Sequence, residues 1–209
     1  VLVIGAMAKK QKQQNNYLGN MNSFGGTWNN QQCFDYEMRN GIHLDNPSFV
    51  NMYDDVVNEI TTLLDIKTHT DLGGGVGAYC LAMKKKGIKT IYYDLNEHHY
   101  EYAHSRDVAD EYHICDFTTK KIKADFVSCI EVMEHIEDDK LKPFLANLKC
   151  NYFHFSSTPH YSNFDKEWGH INIKPVAHWV HLFEQCGFTL LLEMSKPTKW
   201  SLLFKKKMN

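Results

Sequence analysis

The sequence predicts an α/β fold, a doubly wound, seven-stranded, mainly parallel sheet whose last strand is reversed. Three observations carry the prediction. Beyond residue 64, short apolar runs alternate with stretches of helical period, which is the sequence form of a parallel sheet covered by helices. A glycine-rich turn, Asp71-Leu72-Gly73-Gly74-Gly75-Val76-Gly77, falls where one such strand gives way to a helix. The chain then closes on two strand-like segments joined by a turn at Ser195-Lys196-Pro197 rather than by a helix, which turns the final strand back.

Taken in order, the apolar opening Val1-Leu2-Val3-Ile4-Gly5-Ala6-Met7 reads as a buried strand or ordered arm. It is far too short to span a bilayer, and it lacks the basic flank and small-residue cleavage site of a signal peptide. Residues 8–46 are rich in Gln, Asn, Lys and Gly, with aromatics at Tyr17, Phe24, Trp28, Phe34 and Tyr36 and no clean period. Residues 1–46 therefore read as an irregular arm or lid, with Tyr36 or His43, or Tyr53 just beyond it, as candidates to close over a ligand, and residues 47–209 as the domain. Within that domain Pro47-Ser48 start a helix over about 48–64 that carries Phe49, Met52, Tyr53, Val56, Val57 and Ile60 at helical spacing. Strands are expected at 68–72, 90–94, 112–115, 124–130, 152–156, 188–194 and 200–204, and helices at 78–86, 98–106, 140–148 and 176–186. Trp179, Leu182 and Phe183, at helical spacing in the last helix, belong to the core.

Bulk properties narrow the partners. The chain has 209 residues, 43% hydrophobic and 23% charged, enough for one good core. A formal net charge of −2 gives no global basic field, so composition lends no support to a nucleic-acid partner, and Lys205-Lys206-Lys207 reads as a solvated end. Cysteines 33, 80, 115, 129, 150 and 186 contain no C-x-x-C pair. A reducing, cytoplasmic setting fits better than a disulfide framework or zinc ribbon.

Chemistry concentrates at the expected strand tips. Glycines at 73, 75 and 77 let backbone approach a nucleotide-like ligand without Cβ clashes, and Asp94, ending the next strand, can accept from both hydroxyls of a ribose. Gly73, Gly75 and Ala78 also satisfy the looser G-x-G-x-x-A form of a nicotinamide dinucleotide site. Against that, a pyrophosphate gains nothing from the carboxylate of Asp71, whereas a cationic amino-acid moiety does.

The motif D-x-G-x-G-x-G at Asp71–Gly77, followed by Asp94, resembles that of class I S-adenosylmethionine-dependent methyltransferases, whose fold is a Rossmann-like sheet ending in a reversed strand. Cys115-Asp116-Phe117 resembles the family's third-strand tip, and Ala124-Asp125-Phe126-Val127-Ser128-Cys129-Ile130-Glu131-Val132-Met133-Glu134-His135-Ile136 its "FDLVxxxEVLEH" fourth-strand motif. The resemblance, which runs from about Asp71 to Phe204, implies S-adenosyl-L-methionine as cofactor. It also implies cofactor contacts from Asp71, Gly73, Gly75, Gly77, Asp94, Leu95, Asp116, Phe117 and Glu131.

On the acceptor side, Glu134, His135 and His170 are the candidate catalytic residues, with His160 nearby in sequence order, because an imidazole or carboxylate can take the acceptor's proton. If Glu131, Glu134 and His135 open a helix, their i, i+3, i+4 spacing puts them on one face, where His170 can join them around a divalent metal. That grouping resembles the small-RNA 3′-terminal 2′-O-methyltransferases. The favoured reading assigns no metal and expects methylation at an O or N atom of a small molecule or glycan. The fourth strand is not followed by the Asn/Asp-Pro-Pro-aromatic motif or the Pro-Cys nucleophile of DNA base methylation. A third alternative is a non-catalytic structural protein that retains the fold.

Overall fold

The computed structural model describes residues 25–207; the opening segment Val1–Met7, with Tyr17 and Phe24, lies outside them. Two helices come first, α1 (Asn30–Arg39) and α2 (Pro47–Leu63). There follow β1 (Thr68–Leu72), α3 (Ala78–Lys85), β2 (Lys89–Asp94), α4 (Glu97–Ser105), β3 (Glu111–Ile114), β4 (Lys123–Ile130), α5 (Asp138–Asn147) and β5 (Lys149–Ser156). The short α6 (Asp165–Trp168), then α7 (Val176–Gln185), β6 (Phe188–Met194) and β7 (Ser201–Lys206), complete the chain. The strands form one sheet in the order β3-β2-β1-β4-β5-β7-β6, with β7 antiparallel to both β5 and β6 and the pairs among β1 to β5 parallel. All seven expected strands are present, shifted by at most three residues at their ends.

Helix α1 is the main departure from the sequence reading, which left residues 8–46 irregular. It is set by a capping box: the Asn29 side chain accepts from Gln32 N, and the Gln32 side chain accepts from Asn29 N. Two orphan donors are thereby satisfied at once. The apolar period is too short and too aromatic to show in the sequence. α2 begins as expected, with Asn46 accepting from Ser48 N and Pro47 at the first helical position.

Period-two alternation places both sheet faces in apolar surroundings. Phe153 and Phe155 of β5 point into one layer with Trp179, Phe183 and Phe204, and Phe183 stacks on Phe204 at 4.3 Å between ring centroids. Phe126 and Leu203 point into the other, against Val56, Val57 and Ile60 of α2 and Tyr79 and Met83 of α3. Each such side chain contributes about 1.5–3 kcal/mol by burial. Trp179 and Phe183 are core, as expected, and Leu182 packs against that core half-buried. Lys206 departs from the expected solvated tail: its ammonium donates to Leu145 O and Cys186 O and sits over the Phe188 ring. Among the described residues no helix is long and apolar enough to cross a membrane.

The strand order reverses between β1 and β4. In a doubly wound sheet that switch point opens a crevice at the carboxyl ends of the strands, and it places the glycine turn after β1 beside the loop after β4.

Candidate active site

A cavity of about 570 Å³ occupies this crevice, within the roughly 300–1,000 Å³ of small-molecule sites. Its floor is the turn after β1. Gly73 N and Gly74 N both donate to Tyr93 O, which folds the turn back over β2. Gly73 needs a left-handed backbone (φ +71°), and a Cβ there would lie 2.5 Å from Val132 Cγ2, so no other residue fits without strain. Gly75 differs. Its added Cβ would meet nothing within 4 Å, so backbone faces open cavity where a ligand can approach.

Next to that opening, Asp94 is 3% exposed; its Oδ2 accepts from Gly75 N at 2.8 Å and its Oδ1 from Asn96 N at 2.7 Å. Burial raises its pKa, and the charge of His99 works against that rise. His99, at the first turn of α4, meets Glu37 of α1 at 2.6 Å. Burial disfavours the imidazolium, but the Glu37 carboxylate, with Asp94 and Glu97 behind it, overrides this and holds His99 at about 9. Glu37 and His99 both line the cavity, and neither was singled out in the sequence.

Asp71, at the end of β1, is buried at 3% exposure. The Ser128 hydroxyl donates to its Oδ1 at 2.5 Å, and so accepts in turn from His69 Nε2 at 2.7 Å. Burial lifts Asp71 to about 7, with the Ser128 bond opposing. Burial likewise drives His69 down to about 3, which leaves it neutral.

The loop after β4 does not open a helix. Glu131 ends the strand with φ +55° and Met133–His135 form a single 3₁₀ turn, so Glu131 does not share a helical face with Glu134 and His135. Its Oε1 instead accepts from Ser156 Oγ and Trp200 Nε1, and burial raises its pKa. Glu134 is 1% exposed, its pKa pushed well up by burial and then by Glu131, with Oε2 lacking a hydrogen-bond partner. His135 is held at about 3 by burial and by His170.

His170 joins this turn because backbone of the loop before α7 is pinned to it: Ile171 N and Asn172 N both donate to Glu134 O, and Asn172 Nδ2 to Ile136 O. The His135 and His170 rings lie 4.7 Å apart, and donor atoms of Glu134, His135 and His170 all fall within 4.8 Å of one another. The sequence did not point to Asp165, which accepts from His170 at 2.9 Å (Nδ1 to Oδ1) and from Ser162 N and Oγ. Burial acts to raise Asp165, but Ser162 and His170 hold it below its ordinary value. Beside it, Tyr36, Phe164 and Trp168 form an aromatic wall, with Tyr36 5.6 Å from Trp168 and Trp28 packed behind.

Most of the sequence-predicted residues therefore meet in one place. Asp71, Gly73, Gly75, Asp94, Glu131, Glu134, His135 and His170 line the cavity, as do Tyr36, Tyr53 and His160. Gly77 does not; it caps α3 with φ +83°, pressed against Val108. Leu95 and His43 are also outside the lining. Asp116 turns to its own loop, accepting from Thr118 N and Oγ1, and Phe117 is buried against Phe144. For that pair local hydrogen bonding and core packing account for the residue types.

Against known proteins, residues 51–193 match the family model described as a methyltransferase domain. A search of curated proteins gives no match. Among solved structures the chain is similar to magnesium protoporphyrin IX methyltransferase from Synechocystis PCC 6803 with bound SAH (TM-score 0.60, 17% identity, covering 76% of this chain and 83% of that one). It is also similar to an S-adenosylmethionine-dependent methyltransferase from Clostridium acetobutylicum (TM-score 0.60, 12% identity, 75% and 91%) and to a TehB-like SAM-dependent methyltransferase from Corynebacterium glutamicum (TM-score 0.56, 16% identity, 85% and 96%). With the family model spanning most of the chain, and the glycine turn and Asp94 at the switch point, the chain belongs to the methyltransferase-domain family, the S-adenosylmethionine-dependent enzymes of the class I fold.

Proposed function

We propose that this enzyme moves the methyl group of S-adenosylmethionine to an O or N atom of a small molecule or glycan. The observation that carries the reading is the convergence of His170, His135 and Glu134 on the same cavity as the glycine turn and Asp94. The cofactor supplies an electrophilic methyl on a sulfonium. The open backbone at Gly75 and the carboxylate of Asp94, with Leu95 beside it, suit the ribose, and Asp71, seconded by Glu131, suits the amino-acid end. Gly73 and Gly77 shape the turn. Because Nδ1 of His170 is tied to Asp165, Nε2 is the nitrogen left to take a proton from the acceptor, the same division of labour as in other Asp–His pairs. The N-terminal part of the chain ahead of the 47–209 domain acts through α1 as an arm at the cavity, supported by Tyr36 and Glu37 lining it. A cytoplasmic setting is supported by the lack of any disulfide among the six cysteines.

The test is transfer of labelled methyl by the full chain across a panel of hydroxyl and amine acceptors, with formation of the demethylated cofactor as readout. Activity lost in His170→Ala, with cofactor binding kept, supports the assignment; a fully active His170→Ala overturns it.

A second reading, metal-dependent 2′-O-methylation of RNA, is favoured by one observation, the three donor atoms within 4.8 Å. Glu131, the fourth expected ligand, is engaged by Ser156 and Trp200 instead. Activity abolished by a chelator and restored by a divalent ion would support that reading, and chelator-insensitive turnover would remove it.

A further inference from the structure

We infer that the acceptor is an amine, cationic in solution and carried on a flat apolar body, and that acceptors bearing a phosphate or carboxylate are excluded. This rests on the methyltransferase reading above and deepens it. Six carboxylates line the cavity, from Glu37, Asp71, Asp94, Glu131, Glu134 and Asp165, and among the described residues no Lys or Arg does. Asp71, Asp94 and Glu131 face the donor's end, and Glu37 is taken by His99. That leaves at the acceptor's end Asp165, whose carboxylate is held below its ordinary pKa and shares its charge with His170, and Glu134, which burial pushes toward the neutral form; the remaining polar lining there is histidine and hydroxyl. The one cation that the described lining holds, His99, is already paired with Glu37, so an anionic acceptor would be desolvated with no free cation to meet it, which is how a site rejects a wrong partner.

The aromatic wall gives the second half of the argument. Tyr36 from α1, with Phe164 and Trp168 flanking Asp165, presents ring surface beside a carboxylate that is itself 15% exposed. Faces of Trp, Tyr and Phe attract an ammonium and offer a platform to a planar ring. Phe164, 46% exposed, is open to solvent at the cavity's edge, where a planar ring can stack on it.

The chemistry balances. The acceptor's ammonium gives one proton to Nε2 of His170, and the freed lone pair attacks the donor's methyl carbon. The N–C bond forms as the C–S bond breaks, with the electron pair going to sulfur. The products are a methylammonium ion and a neutral thioether, and the proton on His170 leaves to solvent.

The experiment uses the full chain saturated with the demethylated cofactor and titrates matched series by calorimetry: 2-phenylethylamine against 2-phenylethanol and 3-phenylpropionate, and tryptamine against its alcohol and acid counterparts. The amine of at least one series is expected to bind at least ~10-fold tighter than its alcohol and carboxylate, and to be methylated when the active cofactor is supplied. Trp168→Ala and Asp165→Asn are each expected to weaken amine binding several-fold while the demethylated cofactor binds as before. Amines that bind no better than their alcohols or acids, or fail to bind by about 10 mM in every series, overturn the inference while cofactor binding leaves the methyltransferase reading in place. A chain that binds neither form of the cofactor overturns both.

Discussion

The carboxylate of Asp165 and the Nδ1 of His170 lie 2.9 Å apart, five residues from each other across a loop whose backbone also closes on itself, His170 N donating to Asp165 O. Neither residue is in a regular strand or long helix. The pair is made by a left-handed turn at Gly169, and it fixes which nitrogen of His170 faces the cavity.

Asp165→Asn keeps the size and breaks the charge-assisted bond. The expected outcome is a fall in kcat of ~10–100-fold, the usual cost of removing a partner that orients a working imidazole. KM for S-adenosylmethionine should stay within about twofold, since the Asp165 side chain bonds to His170 and Ser162. The acidic limb of the pH profile, where the proton-accepting group must first be unprotonated, should also move. Equal losses in kcat and in cofactor KM would show a merely structural role.

If Asp71 meets the cofactor's amino-acid end, as proposed, cofactor binding is expected to depend on pH. Its pKa is raised to about 7 by burial, so the free site is part-protonated near neutrality, while a cationic amino group in the cofactor favours the carboxylate. Binding then releases a proton below pH 7. Affinity should fall by about tenfold between pH 8 and pH 6 from the protonation of Asp71. Calorimetry in two buffers of different ionisation enthalpy measures the proton directly, and Asp71→Asn should bind weakly with no proton release.

The Glu37–His99 pair ties α1 to α4. The folded pKa of His99, about 9, lies above its ordinary 6.5. The sign follows: the pair's stabilisation is complete below about pH 6.5 and drains away as pH rises through 9. The difference in Tm between wild type and Glu37→Gln should therefore be largest at pH 6 and close by pH 10. A difference that is the same at both pH values would remove His99 protonation as the cause.

Gly73→Ala should both unfold more easily, by about 1–3 kcal/mol, and bind cofactor poorly, because a Cβ at φ +71° strains the backbone and strikes Val132. Phe183→Ala separates stability from chemistry. It should cost about 3–5 kcal/mol in denaturant melts, and at low temperature the folded fraction should retain wild-type KM for the cofactor.

The parallel sheet was legible because its signals are local. Apolar runs such as Ala124–Ile130 and Phe188–Met194 can only be strands, and the glycines at 73 and 75 mark a turn whatever surrounds them. That Asp71, Asp94, His135 and His170 come to line one cavity was readable for the same reason, since they stand at strand tips or in the loop before the last helix. What escaped was relational. Glu37 and His99 are 62 residues apart, and nothing in either neighbourhood announces a pair. Asp165 looks like any loop acid until His170 is seen to fold back on it. Asp116 and Phe117 lie outside the cavity lining, where local capping and core packing account for their residue types. The capping box Asn29-x-x-Gln32 was a signal in plain view for α1, hidden by the amide-rich segment around it.

The most direct test of the whole account is a calorimetric titration of S-adenosylmethionine into the full chain and into Asp94→Ala. The account predicts one site per chain with micromolar affinity at pH 8, weakened at least ~10-fold in the variant, as expected for loss of charge-assisted hydrogen bonds to a ribose. Absence of binding to the wild-type chain, or equal affinity in Asp94→Ala, would contradict the placement of the cofactor at the β1–β4 switch point.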